Sequence, residues 1–113
     1  MENKSYSRIT GMLGFAQRAG KLTIGTDLVC RALSKGGVLL VLLASDASDG
    51  TRKKVLSKCE FYNTEVYTLT HDSSLLGKLL GKTYAPVTIG VADRGFATEI
   101  KKAVLALGDD ANG

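Results

Sequence analysis

The sequence contains few of the residues that mark metal-binding, disulfide-rich or membrane proteins. Among its 113 residues there are no tryptophans, one proline, one histidine and two cysteines, Cys30 and Cys59. The cysteines are far apart, and no histidine stands near either of them at a spacing typical of a metal site. The sequence therefore predicts no metal, no cofactor and no disulfide.

Long apolar runs are also missing. The longest spans residues 38–44, which is too short to cross a bilayer. No charged segment followed by an apolar one opens the chain, as a secretory signal would. We therefore expect a cytoplasmic protein that does not bind a membrane, and we expect a monomer. The length suits one domain, which we place at residues 1–108, followed by a disordered acidic tail at 109–113.

Apolar spacing and turn residues divide the chain into alternating helices and strands. Helices are predicted over residues 5–18, 26–35, 51–62 and 95–107, with a short helix started by Thr70 or Asp72. Strands are predicted over residues 22–24, 38–44, 65–69 and 87–92. This alternation predicts an α/β fold, a three-layer α/β/α sandwich around a small mixed sheet of about four strands.

Two glycines, Gly11 and Gly14, lie inside the first predicted helix. Each lowers helix stability by about 1 kcal/mol relative to alanine. We interpret them as positions where another element packs closely, and Gly20 as the residue that ends the helix.

The only segment similar to a nucleotide-binding loop departs from that pattern. Residues 81–83, Gly-Lys-Thr, resemble the end of a phosphate-binding loop, but the glycine required five residues earlier is replaced by Leu76. They also follow a predicted helix, whereas the phosphate-binding loop follows a strand. The sequence therefore predicts no nucleotide hydrolysis.

Titratable residues at the ends of elements favour structural roles. His71 lies where a helix begins, and we interpret it as a capping or surface residue. Asp46, Asp49 and Asp93 lie at or just beyond the ends of predicted strands, where aspartates commonly cap helices and form turns. We predict that the protein is not an enzyme.

Three successive cations, Arg52, Lys53 and Lys54, open the third predicted helix. Cations at a helix start oppose the helix dipole, at a cost of about 0.3–1 kcal/mol each. The cluster therefore hints at another use, although a solvated helix start explains it more simply.

Gly25 and Thr26 open the second predicted helix. The Thr26 side chain can accept a hydrogen bond from a backbone N–H group of the first turn. A helix N-terminus beside a glycine presents N–H donors and a partial positive charge, which suits a phosphate or a base edge.

Basic and aromatic side chains surround this helix start in the sequence. Lys21, Arg31 and Lys35 are close to it, and Lys82 and Tyr84 lie on the loop before the fourth strand. If that loop lies beside the helix start, the two segments form one surface suited to RNA with non-standard base pairs. A solvated basic face fits the same residues equally well.

Two segments resemble the bacterial ribosome-associated branch of the ribosomal protein L7Ae/L30e family. They are Gly-Phe-Ala-Gln-Arg-Ala-Gly-Lys-Leu at 14–22 and Gly-Thr-Asp-Leu-Val-Cys-Arg-Ala-Leu at 25–33. The likeness continues through residues 42–48 and 87–93, so it covers nearly the whole chain. It implies an α/β/α fold that binds kink-turn RNA, a sharply bent helix with tandem sheared G·A pairs.

In that family, a Gly-Thr-Asn-Glu-x-x-Lys pattern at a helix start reads the G·A pairs and the RNA backbone. Gly25 and Thr26 match this pattern, Arg31 takes the place of its lysine, and Lys35 follows one turn later. The family's second RNA contact is a loop that residues 82–86 match here.

Two positions depart from the pattern. Asp27 replaces the asparagine, which removes an amide donor and adds a negative charge, and Leu28 replaces the glutamate, which removes an acceptor for a guanine edge. Each lost base contact costs about 1–3 kcal/mol of discrimination. The resemblance therefore implies kink-turn binding that is weaker, altered in specificity or lost.

We expect a non-enzymatic RNA-binding protein, associated with the ribosome, whose partner is structured RNA, with ribosomal RNA as one candidate. The expected RNA-binding residues are Lys21, Gly25, Thr26, Asp27, Leu28, Arg31, Lys35, Lys82, Thr83, Tyr84, Ala85 and Pro86. Two alternatives stay open. One is a protein-interaction or assembly module that kept the fold and lost specific RNA recognition, and the other is a trans-acting accessory to an RNA-modifying enzyme.

Overall fold

Five helices alternate with four strands in the computed structural model, which describes the backbone of residues 4–112 and the side chains of residues 4–107. The helices are α1 (Lys4–Arg18), α2 (Thr26–Ser34), α3 (Asp49–Phe61), α4 (Ser73–Leu79) and α5 (Arg94–Asn112). The strands are β1 (Leu22–Ile24), β2 (Leu40–Leu43), β3 (Glu65–Thr68) and β4 (Thr88–Val91). None of these described helices has the length and apolar character needed to span a membrane.

The four strands form one sheet in the order β1-β4-β2-β3. Strands β2 and β3 are parallel, whereas β4 runs antiparallel to both of its neighbours, β1 and β2. The predicted small mixed sheet is therefore confirmed.

Alternating side chains of β2 divide the core into two halves. Leu40 and Leu42 pack with side chains of α1, α4 and α5 on one face of the sheet. Val41 and Leu43 pack with side chains of α2 and α3 on the other face. Because successive side chains of a strand point to opposite faces, β2 is buried on both sides. Helices cover both faces, which confirms the predicted three-layer α/β/α architecture.

Most element boundaries lie within a few residues of their predicted positions. Strand β2 is shorter than predicted, since it begins at Leu40 rather than at residue 38. Of the two predicted caps for α4, Asp72 is the one used, because its carboxylate accepts a hydrogen bond from the Leu75 backbone N–H at 2.8 Å.

The last helix is longer than predicted. Its expected end at Leu107 is wrong, because the backbone remains helical through Asn112. The disordered acidic tail predicted at 109–113 lies outside the residues whose side chains are described.

The close-packing interpretation of Gly11 and Gly14 is wrong. Both lie in α1, and a Cβ atom added at either position would have no neighbouring atom within 4 Å. Gly20, with φ +70°, follows the end of α1 as predicted.

Candidate nucleic-acid interface

The start of α2 lies at the end of the sheet where Ile24, Leu43, Thr68 and Thr88 come together, which we call the Thr88 edge. Strands β1, β2 and β3 end at this edge and β4 begins there. Helices α2 and α3 follow β1 and β2 in the chain, so both begin at this edge. The opposite end of the sheet, at Val91, is the Val91 edge.

Thr88 anchors the start of α2. The Gly25 N–H donates to the Thr88 carbonyl oxygen at 2.9 Å, and the hydroxyl oxygens of Thr26 and Thr88 are 2.8 Å apart. Thr88 is fully buried. Sequence reasoning did not select it, because one threonine in an apolar strand has no distinguishing signal.

The first turn of α2 has no side-chain cap. It follows Gly25, whose φ of +116° is a conformation that side chains disfavour. The predicted cap by Thr26 is wrong, because Thr26 is already helical and its hydroxyl contacts Thr88 instead. The first intrahelical bond runs from the Val29 N–H to the Gly25 carbonyl, so the N–H groups of residues 26–28 are available to a ligand.

Asp27 and Leu28, the two departures from the family pattern, are both exposed. The Asp27 side chain is 80% exposed, and its Oδ1 lies 3.2 Å from the Lys54 Nζ of α3. Leu28 is 52% exposed, and Arg31 is exposed one turn further along α2. This face therefore combines a paired carboxylate, an apolar side chain and a cation.

The loop before β4 is held against α4. The Lys82 N–H donates to the Gly77 carbonyl at 2.8 Å, and a Cβ atom on Gly77 would come within 2.5 Å of the Tyr84 carbonyl oxygen. The loop ends at Pro86, two residues before Thr88, and Thr88 binds Gly25 and Thr26, so the end of the loop lies near the start of α2. Of its residues, Thr83, Tyr84 and Ala85 are exposed, Lys82 is partly exposed and Pro86 is buried.

Lys21 and Lys35 lie apart from the Thr88 edge. The Lys21 carbonyl accepts a hydrogen bond from the Ala92 N–H at 2.9 Å, which places Lys21 at the Val91 edge. Lys35 is the C-cap of α2, about 13 Å along the helix axis from its first residue. The structure therefore brings together the start of α2 and the loop before β4, but not these two lysines.

The start of α3 lies beside the start of α2, a proximity that the sequence analysis did not predict. Lys54 contacts Asp27, and Arg52 donates to the Thr68 hydroxyl oxygen at 2.6 Å. Lys53 is exposed, and it forms no ion pair with any side chain between residues 4 and 107. The cationic cluster was visible in the sequence, but its position depends on the packing of α2 against α3.

His71 is buried, so its interpretation as a capping or surface residue is wrong. Its exposure is 0%, its Nε2 lies 2.9 Å from the Thr10 hydroxyl oxygen, and its ring stacks on Tyr6 with centroids 3.9 Å apart. Burial lowers the pKa of His71, and the nearby Asp72 carboxylate opposes that shift only in part. His71 therefore connects the turn before α4 to α1 inside the fold.

The aspartates at the ends of strands bind backbone N–H groups. Asp46 accepts from the Ser73 N–H at 2.8 Å and from the Ser73 hydroxyl at 2.7 Å, and these bonds hold the pKa of Asp46 below its ordinary value. Asp93 accepts from the Phe96 N–H at 2.9 Å. Their predicted structural roles are confirmed, whereas α3 is capped by Ser48 rather than Asp49. Among the described side chains, no three of His, Cys, Asp or Glu lie close enough together to hold a metal ion.

Curated proteins similar to this chain include RNA-binding and ribosomal proteins. It is 40% identical over 89 residues to the RNA-binding protein YlxQ of Bacillus subtilis, a match that covers 79% of this chain and 87% of that protein. It is 31% identical over 78 residues to the large ribosomal subunit protein eL30 of Sulfurisphaera tokodaii, covering 69% and 74% of the two chains.

Solved structures share the fold. A Bacillus halodurans protein of unknown function superposes with a TM-score of 0.79 at 38% identity, over 91% of this chain and 98% of that one. The Giardia lamblia 15.5kD RNA binding protein superposes with a TM-score of 0.74 over 96% and 92% of the two chains, and its 12% identity makes this a likeness of fold alone.

The family resemblance read from the two glycine-containing segments is confirmed over most of the chain. The sequence model of one protein family matches residues 7–101. The chain belongs to the Ribosomal protein L7Ae/L30e/S12e/Gadd45 family.

Proposed function

We propose that this protein binds structured RNA of the kink-turn type at the Thr88 edge, as a monomeric, cytoplasmic, ribosome-associated protein without catalytic activity. The observation that carries the proposal is the uncapped start of α2 at Gly25, whose N–H donates to Thr88, two residues after the loop before β4. The names of the YlxQ and eL30 relatives support RNA binding and association with the ribosome.

The chemistry of this edge suits RNA. The N–H groups of residues 26–28 can donate to phosphate oxygens or base edges, and Arg31 can pair with a phosphate. Leu28 and Tyr84 are both about half exposed and offer an apolar surface and an aromatic ring on which unpaired bases can stack. We propose Gly25, Thr26, Asp27, Leu28, Arg31 and residues 82–86 as the site, and we place Lys21 and Lys35 outside it.

Asp27 and Leu28 limit how this site reads bases. Asp27 lacks the amide of the asparagine in the family pattern, and Leu28 lacks the carboxylate of its glutamate. The RNA is therefore selected mainly by its bent shape and its backbone, and less by the identity of its bases.

The test is a gel shift with a kink-turn RNA and with a straight duplex of the same length. We expect tighter binding to the kink-turn RNA, and we expect Arg31→Ala and Lys82→Ala to weaken that binding about tenfold each, as for a lost hydrogen bond to a charged group. Circular dichroism should show that both variants remain folded.

Lys102→Ala is the matched control. Lys102 is exposed on α5 and lies 3.7 Å from Glu99, and we place it outside the proposed site. Equal affinity of the wild type and the two site variants would overturn the site assignment. Failure to bind either RNA would favour an assembly module that kept the fold without RNA recognition.

A further inference from the structure

The cations at the start of α3 are not explained by the site on α2. Helix α3 begins at Asp49, two residues earlier than predicted, so Arg52, Lys53 and Lys54 are its fourth to sixth residues and lie past the first turn, where the helix dipole acts most strongly. Arg52 is bound to the Thr68 hydroxyl, so its position serves the fold. Lys53 and Lys54 have no comparable structural role, because both are exposed. Among the described side chains, Lys53 forms no ion pair, and Lys54 pairs only with Asp27, which is itself exposed.

The topology places these two lysines beside the proposed RNA site. Strands β1 and β2 end at the same edge of the sheet, so α2 and α3 begin side by side. The 3.2 Å distance between Asp27 Oδ1 and Lys54 Nζ joins the two helix starts directly. A ligand on the first turn of α2 therefore meets the first turns of α3 on the side of Asp27.

The Asp27–Lys54 pair has little value for stability. The two side chains are 80% and 51% exposed, and an exposed pair of this kind is weakened by solvent and salt. The pair matters more for a polyanionic ligand, because it places a cation next to the one carboxylate in the first turn of α2.

We propose that Lys53 and Lys54 form a phosphate-binding extension of the RNA interface and that Lys54 screens the charge of Asp27. This inference rests on the proposed function and adds the α3 side of the same site. The RNA backbone then crosses from α2 to α3, where ionic contacts position it without reading its sequence.

The first test compares single alanine variants in a kink-turn RNA binding assay at several salt concentrations. We expect Lys53→Ala and Lys54→Ala each to weaken binding about threefold to tenfold and to lower the slope of log Kd against log salt by about 1. Lys58→Ala is the matched control. Lys58 is an exposed lysine of the same helix, one turn beyond Lys54 and further from the Thr88 edge.

The second test examines the screening of Asp27. Asp27→Asn should tighten binding about twofold to fivefold, because it removes a negative charge and frees Lys54 for phosphate. The same change in a Lys54→Ala background should restore part of the lost affinity. No gain from Asp27→Asn in either background overturns the screening role.

The outcomes separate this inference from the proposed function. If Arg31→Ala weakens binding while Lys53→Ala and Lys54→Ala behave like Lys58→Ala, the interface is confined to α2 and the loop before β4, and the extension is wrong. If all three lysine variants lose the same affinity, the attraction is that of a general basic face, which also overturns it. If Arg31→Ala has no effect, the proposed function fails first.

Discussion

At the scale of single residues, His71 has an unusual hydrogen-bonding state. The Thr10 hydroxyl donates to the Tyr6 carbonyl at 3.1 Å, so its oxygen is available to accept the proton of His71 Nε2. This assigns the neutral tautomer with the proton on Nε2. The Nδ1 atom is buried and has no hydrogen-bond partner among the described residues. A second proton on the ring would therefore be a buried charge without an acceptor.

This geometry predicts that stability falls in mild acid. Burial lowers the pKa of His71 in the folded protein, so as the pH falls below about 6.5 the unfolded chain takes up a proton that the folded chain does not. The free energy of unfolding should then decrease by at most about 1.4 kcal/mol per pH unit. Urea unfolding at pH 7.5 and at pH 5 measures the change.

His71→Phe is the control for this prediction, because it keeps a ring against Tyr6 and removes the titrating group. His71 is the only histidine of the chain, and the pKa values of Asp46 and Glu65 are both lowered, so neither carboxyl titrates in this range. The same loss of stability between pH 7.5 and 5 in His71→Phe would show that another group is responsible.

The burial of His71 also shows what could not be predicted at this scale. Its sequence neighbours Thr70 and Asp72 are polar and exposed, so the local pattern is that of a surface turn. The side chains that cover it, Tyr6 and Thr10, belong to α1 and are distant in sequence. Local capping by Asp72 was predictable, because a cap depends only on residues within one helical turn.

At the scale of elements, two helical glycines differ in what surrounds them. Gly77 in α4 supports the loop before β4, and a Cβ atom there would lie 2.5 Å from the Tyr84 carbonyl oxygen. Gly14 in α1 has no neighbouring atom within 4 Å of the same added group. Replacement by alanine therefore tests close packing at Gly77 and helix propensity alone at Gly14.

We expect Gly77→Ala to destabilise the protein by about 1–3 kcal/mol and to weaken RNA binding, because the loop must move away from α4. Gly14→Ala should raise the free energy of unfolding by about 0.5–1 kcal/mol and leave RNA binding unchanged. Urea unfolding and the kink-turn gel shift measure both effects. Unchanged stability and affinity in Gly77→Ala would contradict the contact between α4 and this loop.

The order and type of the helices and strands could be predicted from the sequence, but which of them pack beside one another could be predicted only in part. Strand β2 was recognisable from an unbroken apolar run, because it is buried on both faces. The placement of α3 beside α2 follows from the sheet order β1-β4-β2-β3, which local periodicity does not specify. The contact between Asp27 and Lys54 therefore could not be predicted from the sequence.

At the scale of the whole molecule, acidic and basic side chains are interspersed, and some of them form ion pairs. Away from the Thr88 edge, Arg8 forms an ion pair with Glu99 at 2.6 Å, and Lys101 forms one with Glu65 at 2.8 Å. At the Thr88 edge, Lys54 pairs with the exposed Asp27, and three more exposed carboxylates follow β2 and β3, those of Asp46, Asp49 and Asp72. The net charge of +4 is therefore not concentrated at this edge, and RNA contacts there depend on where individual cations are placed.

The proposed phosphate contacts predict a steep salt dependence that originates at one edge. If Arg31, Lys53, Lys54 and Lys82 each contact one phosphate, log Kd should rise against log salt with a slope of about 3 to 4. Lys101→Ala should leave that slope unchanged, because Lys101 lies near the Val91 edge and is paired with Glu65. A flat salt dependence would instead indicate that the fold serves protein assembly, because association without phosphate contacts releases few counterions.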